Sequence, residues 1–223
     1  FTLLELGPGK GTLMHDLLRA TESVDGFHNS MQLYLLEISP NLRQVQKERL
    51  KDYDIIWLDE LKKLPDAPLF FIANEFFDAL PIRQFQRVGD IWFERYIVLQ
   101  DDSLAFEFKS EKTIVPEKII ARQDLADGDI VEVCHGAKKI CKFLSKHLKS
   151  KGGAGLIIDY GSWMSKGDTL QAVKAHKIVD ILETPGLSDL TAHVDFEALA
   201  EVIECEKSKL TPQGHFLERI GIT

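Results

Sequence analysis

Three glycines near the start of the chain have the spacing of a ligand-binding turn. Gly7, Gly9 and Gly11 follow the short apolar run 2–6 and precede leucines at helical spacing. Glycines between a strand and a helix let the backbone approach a ligand and expose the first N–H groups of the helix. The spacing therefore predicts a cofactor site. Tight packing of strand on helix is the alternative that the glycines alone leave open.

Two common phosphate-binding loops do not fit this turn. A P-loop has the pattern G-x-x-x-x-G-K-[ST], but here Lys10 is followed by Gly11, so the hydroxyl that would hold Mg²⁺ is misplaced. The dinucleotide fingerprint has Gly or Ala at its sixth position, where this chain has Thr12. We therefore expect neither nucleotide hydrolysis nor a nicotinamide cofactor.

The glycine turn belongs to a repeated alternation of apolar runs and helical patterns. Such alternation predicts an α/β fold with a parallel sheet, whose ligands bind at the carboxyl ends of the strands. Residues 137–148 form the clearest amphipathic helix. The predicted strands are 2–6, 32–36, 55–57, 69–73 and 156–158, and the last is expected to be buried.

The second helix has a clear start signal. Ser39 is placed as its N-cap, with Pro40 at the first helical position. Leu42, Val45 and Leu50 are then expected on the side that faces the core.

A later helix has a similar start signal. Asp195 is placed as its N-cap, and the helix is expected to run through Phe196, Leu199 and Ile203. Val194 and Leu199 are placed to form a hydrophobic staple.

Two stretches differ from this alternation. Residues from 83 to about 110 show alternating apolar and polar positions with turn signals, which predicts an antiparallel β insertion. Residues from about 162 to 192 show little periodicity and are expected to form a long loop. We interpret 1–223 as a single domain that carries both features, and as a fragment of a longer protein.

The segment Glu5-Leu6-Gly7-Pro8-Gly9-Lys10-Gly11 resembles motif I of the class I S-adenosylmethionine-dependent methyltransferases. The resemblance implies a Rossmann-like class I sheet and S-adenosylmethionine as the cofactor. It also implies that the cofactor is bound by Glu5 and by the three glycines of the turn.

The same resemblance assigns polar residues at the ends of three further strands. Glu37 matches the acidic residue that binds the ribose hydroxyls, and Asp59 lies where the family often contacts the adenine. Asn74 ends the fourth strand and is placed beside the cofactor. The alternatives are that Glu37 is a solvated charge and that Asp59 is an exposed helix cap.

Four segments together resemble one family of these enzymes, the MidA family. That family includes a mitochondrial arginine methyltransferase that is needed for complex I assembly, and its members extend on both sides of the region that this chain covers. The four segments are LLELGPGKGTLM (3–14), NEFFDALP (74–81), GDTLQAV (167–173) and LTAHVDF (190–196).

The resemblance implies a guanidinium substrate, for which carboxylates are suitable partners because they accept its N–H groups bidentately. Glu75 and Asp78 are the first candidates for catalytic residues, and Asp159 and His193 are further ones. Asp78 could instead cap the following turn, and His193 could be structural. The aromatic pair 76–77 could face a cation, although a core position is favoured.

Composition excludes several other classes of protein. The chain has 223 residues with 27 Lys and Arg against 35 Asp and Glu, a net charge of −8, which disfavours nucleic acid as a partner. Cys134, Cys141 and Cys205 form neither a CxxC pair nor another metal-binding pattern, so we expect no metal. No apolar run approaches the length of about 20 residues that a membrane span needs.

Two functions follow from these patterns. The first is protein arginine methylation, with a partner protein that bears arginine as the substrate and a homodimer as one possible assembly. The second is a non-catalytic assembly or binding module on a methyltransferase fold, because fold alone does not establish function. The expected compartment is the cytoplasm for a bacterial source and the mitochondrial matrix for a eukaryotic one.

Overall fold

A computed structural model describes residues 1–109, 115–120, 122, 124–175, 177–183 and 185–222, without the side chain of Lys118. The chain divides into two compact units. Unit 1 contains Phe1–Phe77, Lys139–Asp159 and Ala200–Thr223, and unit 2 contains Asp78–Lys138 and Tyr160–Leu199.

Strands and helices alternate over residues 2–74, and the strand at Leu69–Asn74 is the first of four consecutive strands. The strands are β1 (Thr2–Leu6), β2 (Gln32–Leu36), β3 (Ile55–Leu58), β4 (Leu69–Asn74), β5 (Arg83–Val88), β6 (Ile91–Gln100), β7 (Ser103–Phe108), β8 (Ile130–Val133), β9 (Gly153–Ile158), β10 (Gly161–Ser162), β11 (Gln171–Lys174), β12 (Lys177–Val179), β13 (Asp189–Thr191) and β14 (Val194–Asp195). The helices are α1 (Thr12–Ala20), α2 (Phe27–Ser30), α3 (Pro40–Arg49), α4 (Glu117–Ile120), α5 (His135–Lys151), α6 (Phe196–Ala200) and α7 (Gln213–Arg219), with a 3₁₀ turn at Leu61–Lys63.

Unit 1 is built on a five-stranded parallel sheet with the order β3-β2-β1-β4-β9. In the centre of the sheet, Leu4 lies opposite Tyr34 on β2 and Phe71 on β4. Because the strands are parallel, the glycine turn after β1 and the residues that follow β2, β3 and β4 share one edge of the sheet. The predicted Rossmann-like α/β fold is confirmed.

One core cluster explains why α1 and α3 pack against β1 and β2. Apolar residues two apart on the strands and about four apart on the helices point to the same side. Burying them holds the glycine turn and the start of α3 against the sheet. The buried members are Leu3, Met14, Leu18, Leu33, Leu35 and Leu50.

The buried face of α3 differs from the prediction. Val45 is 42 % exposed, whereas Gln46 is completely buried. The side that faces the core is the i, i+4, i+8 row of Leu42, Gln46 and Leu50, because this row follows the helical period more closely than a row through Val45. The placement of Val45 in the core was wrong, and a polar residue holds that position.

The predicted strand at 156–158 begins earlier and is less buried than expected. It starts at Gly153, and Leu156 is 38 % exposed. Among the residues that the structure describes, β9 is an edge strand that pairs with β4 alone, which accounts for the exposure. The expectation of a buried strand was wrong.

Unit 2 contains the predicted antiparallel insertion as a four-stranded sheet with the order β7-β6-β5-β8. Its core is formed by Phe85, Trp92, Val131 and Val133. A bidentate ion pair also stabilises this sheet: Arg83 donates to the buried Glu94 carboxylate through Nε at 2.5 Å and Nη2 at 2.6 Å.

The stretch 162–192 is not an extended loop. It contains a three-stranded antiparallel sheet with the order β12-β11-β13, and the parallel pair of β10 and β14 brackets it. Strands of two to four residues are too short to show a hydrophobic period, so they could not be predicted from the sequence. The carboxylate of Glu132 on β8 anchors the stretch, accepting from the backbone N–H groups of Thr169 at 3.0 Å and Leu170 at 3.2 Å.

Helix α6 begins where the sequence indicates. Asp195 Oδ1 accepts from the N–H of Ala198 at 2.9 Å, which is an N-cap hydrogen bond, and Val194 and Leu199 are both buried. The helix ends at Ala200, before the expected Ile203.

Three further observations concern metals, thiols and membranes. The cysteines are free thiols. Within the ranges described above, no group of His, Cys, Asp and Glu side chains could hold a metal ion. None of the helices in those ranges combines the length and apolarity that crossing a membrane requires.

Candidate cofactor site

The three glycines of the first turn serve different purposes. A Cβ at Gly7 would lie 2.7 Å from Phe76 Cδ2, and one at Gly11 would lie 3.4 Å from Leu50 Cδ1. Packing therefore accounts for Gly7, whereas at Gly11 the φ of +74° is what favours glycine. At Gly9, whose φ is +52°, a Cβ would meet nothing within 4 Å. This glycine faces open space, which is what a ligand-binding turn needs.

The N-terminus of α1 points out of the same turn. Gly11 is the N-cap, and among the described residues no side chain accepts from the first N–H groups of the helix. The turn is closed by the N–H of Gly11, which donates to the carbonyl of Pro8 at 2.7 Å. The first N–H groups and the positive end of the helix dipole are thus suited to an anionic group such as an amino-acid carboxylate.

Glu37 directly follows β2 and presents an ordered carboxylate. It is only 8 % exposed, and its Oε1 accepts from the N–H of Ser39 at 2.8 Å. Arg43 fixes the backbone there, donating from Nε to the Glu37 carbonyl at 2.7 Å and from Nη2 to the Leu58 carbonyl at 3.1 Å. The remaining lone pairs of the carboxylate are suited to accepting hydrogen bonds from two hydroxyls.

Gln46 is the residue that sequence reasoning missed. Its Nε2 donates to the Gly9 carbonyl at 2.8 Å and to Glu37 Oε2 at 3.4 Å. Its Oε1 accepts from the indole N–H of Trp57 at 2.8 Å. The available signal was a glutamine in the apolar i, i+4, i+8 row of α3.

Glu5 lies on β1, just before the glycine turn, with 3 % of its surface exposed. Its Oε2 has no hydrogen-bond partner among the residues that the structure describes. Burial raises the pKa of Glu5 to about 7, because desolvation disfavours the ionised form. A buried carboxyl with an unused oxygen beside the turn is suited to a cationic or hydrogen-bond-donating ligand.

The other two predicted cofactor residues differ in their surroundings. Asp59, just after β3, is exposed and accepts from Lys63 Nζ at 2.6 Å, a hydrogen bond that lowers the pKa of Asp59. Its exposure matches the alternative of an exposed helix cap, but the N-cap of the 3₁₀ turn is Glu60 rather than Asp59. Asn74 ends β4 and is half-buried.

Glu75 follows β4 and has an unusual backbone conformation. Its φ is +48°, in the left-handed region that favours glycine, and its side chain is exposed. The backbone is held there because the N–H of Glu75 donates to the carbonyl of Ile158 at 2.9 Å. Strained non-glycine residues of this kind often occur at functional sites.

Asp159 follows β9 and binds the turn after Glu75. Its Oδ2 accepts from the N–H groups of Phe76 at 3.2 Å and Phe77 at 2.8 Å. Phe77 is buried, and its ring packs edge-on against Phe76 with 5.2 Å between centroids. This favours a core position for Phe77, while Phe76 is half-buried against Gly7.

The remaining two predicted residues belong to unit 2. Asp78 is buried, and its carbonyl accepts from the N–H of Ala192 at 3.0 Å. His193, which follows Ala192, is exposed and donates its backbone N–H to Thr169 Oγ1 at 2.8 Å. Unit 2 thus brings Asp78 close to the segment that carries His193. The other predicted residues line the carboxyl edge of the sheet in unit 1.

Comparison with known proteins identifies the family. A family model described as "Putative S-adenosyl-L-methionine-dependent methyltransferase" matches residues 1–215. This chain belongs to that methyltransferase family. The predicted resemblance to the MidA family is confirmed.

Proteins similar to this chain come from animals and bacteria. Proteins named protein arginine methyltransferase NDUFAF7, mitochondrial, are 35 % identical over 99 % of this chain in Xenopus tropicalis and 33 % identical over 100 % in Homo sapiens. The chain spans 57 % and 56 % of these two proteins. A crystal structure from Burkholderia thailandensis with bound S-adenosyl-homocysteine is 26 % identical, with a TM-score of 0.74 over 90 % of this chain and 54 % of that one.

The cofactor of the family is S-adenosylmethionine, and the residues present fit it. The space beside Gly9, which a Cβ at this position would partly fill, is open. The uncapped end of α1 lies beside it. The oriented carboxylate of Glu37 is suited to the vicinal hydroxyls of a ribose. An amino-acid group and a ribose therefore both find suitable partners along this edge of unit 1.

Proposed function

We propose that this protein methylates the guanidinium group of an arginine in a partner protein. Relatives that align over nearly all of the chain are named protein arginine methyltransferases. The observation that carries the proposal is Glu75, an exposed carboxylate held at the end of β4 by a strained backbone. This residue lies at the same edge of the sheet as the glycine turn, as a substrate-binding group should.

In this proposal the cofactor is held by unit 1. The backbone of the turn and the start of α1 bind its amino-acid portion, and Glu37 binds the ribose hydroxyls. When bound, S-adenosylmethionine supplies a methyl group activated by a sulfonium. The full set of proposed cofactor residues is Glu5, Gly7, Gly9, Gly11, Glu37, Asp59 and Asn74.

The substrate side depends on orientation of the guanidinium. The Glu75 carboxylate accepts two of its N–H groups and so fixes the plane of the nucleophile relative to the methyl donor. Asp78, three residues later, is the second proposed carboxylate, and His193 is a proposed hydrogen-bonding or basic group. The hydrogen bonds of Asp159 to Phe76 and Phe77 favour a positioning role for that residue.

The partner and compartment follow from the same proposal. The substrate is a protein that bears arginine, not nucleic acid, in keeping with the net charge of −8. We propose the mitochondrial matrix as the compartment for a eukaryotic source and the cytoplasm for a bacterial one, and a homodimer as the assembly. The relatives named above carry the word mitochondrial in their names.

A substitution at Glu75 tests the proposal. Glu75→Gln keeps the side-chain size and the same backbone constraint but removes the charge. We expect the transition state to lose about 2–4 kcal/mol of stabilisation, because one preorganised electrostatic contact is lost. The measurement is a time course of labelled methyl transfer from S-adenosylmethionine to an extract of cells that lack the gene for this protein.

The control is the affinity for S-adenosylhomocysteine, which should be the same in Glu75→Gln and the wild type because Glu75 is assigned to the substrate. Wild-type transfer rates in Glu75→Gln would show that the substrate is positioned by other residues. If the wild type binds S-adenosylhomocysteine but transfers no methyl group to any protein in the extract, the alternative of a non-catalytic binding module is favoured.

A further inference from the structure

Gln46 contacts three parts of the proposed cofactor site, each contributed by a different element. It is completely buried on α3. One N–H of its carboxamide bonds to the Gly9 carbonyl after β1, the other bonds to the Glu37 carboxylate after β2, and its oxygen accepts from Trp57 on β3. The nitrogen and the oxygen of the carboxamide therefore both have partners.

The chemistry of these partners allows one orientation of the carboxamide. The Gly9 carbonyl and the Glu37 carboxylate can only accept hydrogen bonds, and the Trp57 indole can only donate one. A flipped carboxamide would place its oxygen against two acceptors and its NH₂ against a donor. The network thus fixes Gln46, and Gln46 in turn fixes the Gly9 carbonyl relative to the Glu37 carboxylate.

We propose that Gln46 is a positioning residue that couples the glycine turn to the ribose-binding carboxylate. The inference rests on the proposed cofactor roles of Gly9 and Glu37. Without Gln46, the Glu37 carboxylate keeps the Ser39 N–H on Oε1 but loses the donor on Oε2. The carboxylate is then less well ordered for the ribose, and the glycine turn loses its hydrogen bond from α3 to the Gly9 carbonyl.

The Gln46→Met variant tests the coupling, since methionine has a similar volume but lacks the hydrogen-bond donors. Calorimetry would give the affinity for S-adenosylhomocysteine and for its 2′-deoxy analogue, which lacks one hydroxyl that Glu37 is expected to bind. In Gln46→Met, S-adenosylhomocysteine should bind about tenfold more weakly, because a hydrogen bond that orders a charged group is lost. The preference of the protein for S-adenosylhomocysteine over the deoxy analogue should also shrink.

A purely structural role for Gln46 gives a different pattern. Both ligands would then bind more weakly by the same factor, the preference would stay at the wild-type value, and the proposal would be overturned. Gln44→Met is the matched control, because Gln44 is an exposed glutamine on the same helix that pairs with Glu48 at 3.2 Å. This control should keep both affinities. A wild type that binds neither ligand would refute the cofactor assignment itself, and the coupling with it.

Gln46→Glu provides a second test that does not depend on a loss of packing. It places a carboxyl group beside the Glu37 carboxylate. The nearby cations on the same helix are Arg43, which donates to the Glu37 carbonyl, and Lys47, whose ammonium lies 5.5 Å from the centroid of the Trp57 ring. Two adjacent carboxylates resist joint ionisation, so protonation restores one donor. Relative to the wild type, affinity for S-adenosylhomocysteine should fall as the pH rises from about 5.5 to about 8. A profile parallel to that of the wild type would contradict the proposal.

Discussion

At the scale of single residues, the glycine turn separates packing from binding. Gly7 lacks a side chain because Phe76 occupies the space, and Gly11 has a φ of +74°, which favours glycine. Gly9 has no such neighbour: its φ of +52° favours glycine, and the space beside it is open to the proposed cofactor. The alternative of a turn built for packing alone therefore does not account for Gly9.

Substitution of Gly9 should separate these effects. Gly9→Ala puts a Cβ into the open space and should weaken binding of S-adenosylhomocysteine by more than about tenfold. It also adds the backbone cost of a left-handed alanine, roughly 1–2 kcal/mol. Gly26→Ala is the matched control, because Gly26 has a φ of +75° and its Cβ would also meet nothing within 4 Å. Equal losses of affinity in the two variants would remove Gly9 from the site.

The buried Glu5 makes stability depend on pH. Its folded-state pKa of about 7 lies above the ordinary value of 4.5. Between these values the folded protein holds a proton that the unfolded chain has released, so this group lowers the free energy of unfolding as the pH rises from 4.5 to about 7. At roughly 1.4 kcal/mol per pKa unit, the full effect is about 3 kcal/mol and stays constant above that range.

Glu5→Gln removes this titration. At pH 8 the variant should be more stable than the wild type by up to about 3 kcal/mol, and near pH 4.5 this advantage should be absent. Urea unfolding of both proteins at the two pH values measures the difference. A difference in unfolding free energy that is the same at both values would show that Glu5 ionises normally in the folded state.

At the scale of elements, the turn after β4 is fixed from β9. The N–H of Glu75 bonds to Ile158, and the N–H groups of Phe76 and Phe77 bond to Asp159. The left-handed conformation of Glu75 is therefore imposed by the neighbouring strand, and the turn is stabilised before any substrate binds.

Two substitutions at Asp159 distinguish positioning from catalysis. Asp159→Ala leaves the N–H groups of Phe76 and Phe77 without their acceptor and should cost about 1–3 kcal/mol of stability. Asp159→Asn retains an oxygen acceptor and should keep most of the stability and most of the methyl transfer. An Asp159→Asn protein that is folded and binds S-adenosylhomocysteine normally but transfers no methyl group would identify Asp159 as a catalytic base.

The same scale shows what could be predicted from the sequence. The parallel strands and the glycine turn were predictable, because apolar runs and turn residues are local signals. The ribose-binding role of Glu37 was inferred from the family resemblance and stays a prediction. The network around Gln46 was not predictable, since Gly9, Glu37 and Trp57 are far apart in the chain and meet only through the sheet order. The strands in 162–192 were missed because elements of two to four residues carry no period.

At the scale of the whole molecule, unit 1 contains the proposed cofactor residues, whereas Asp78 and His193 belong to unit 2. The chain also spans little more than half of its animal relatives, at 57 % and 56 % of the two compared above. The activity of the whole protein is therefore best tested on the intact protein with a mixture of natural acceptors.

The most direct test identifies the amino acid that receives the methyl group. The intact protein would be incubated with methyl-labelled S-adenosylmethionine and an extract of cells that lack its gene, and the protein fraction would then be hydrolysed to amino acids. We predict label in methylarginine, with much less label when Glu75→Gln replaces the wild type. Label in a different amino acid, or no label from a protein that binds S-adenosylhomocysteine, would contradict the proposal of arginine methylation.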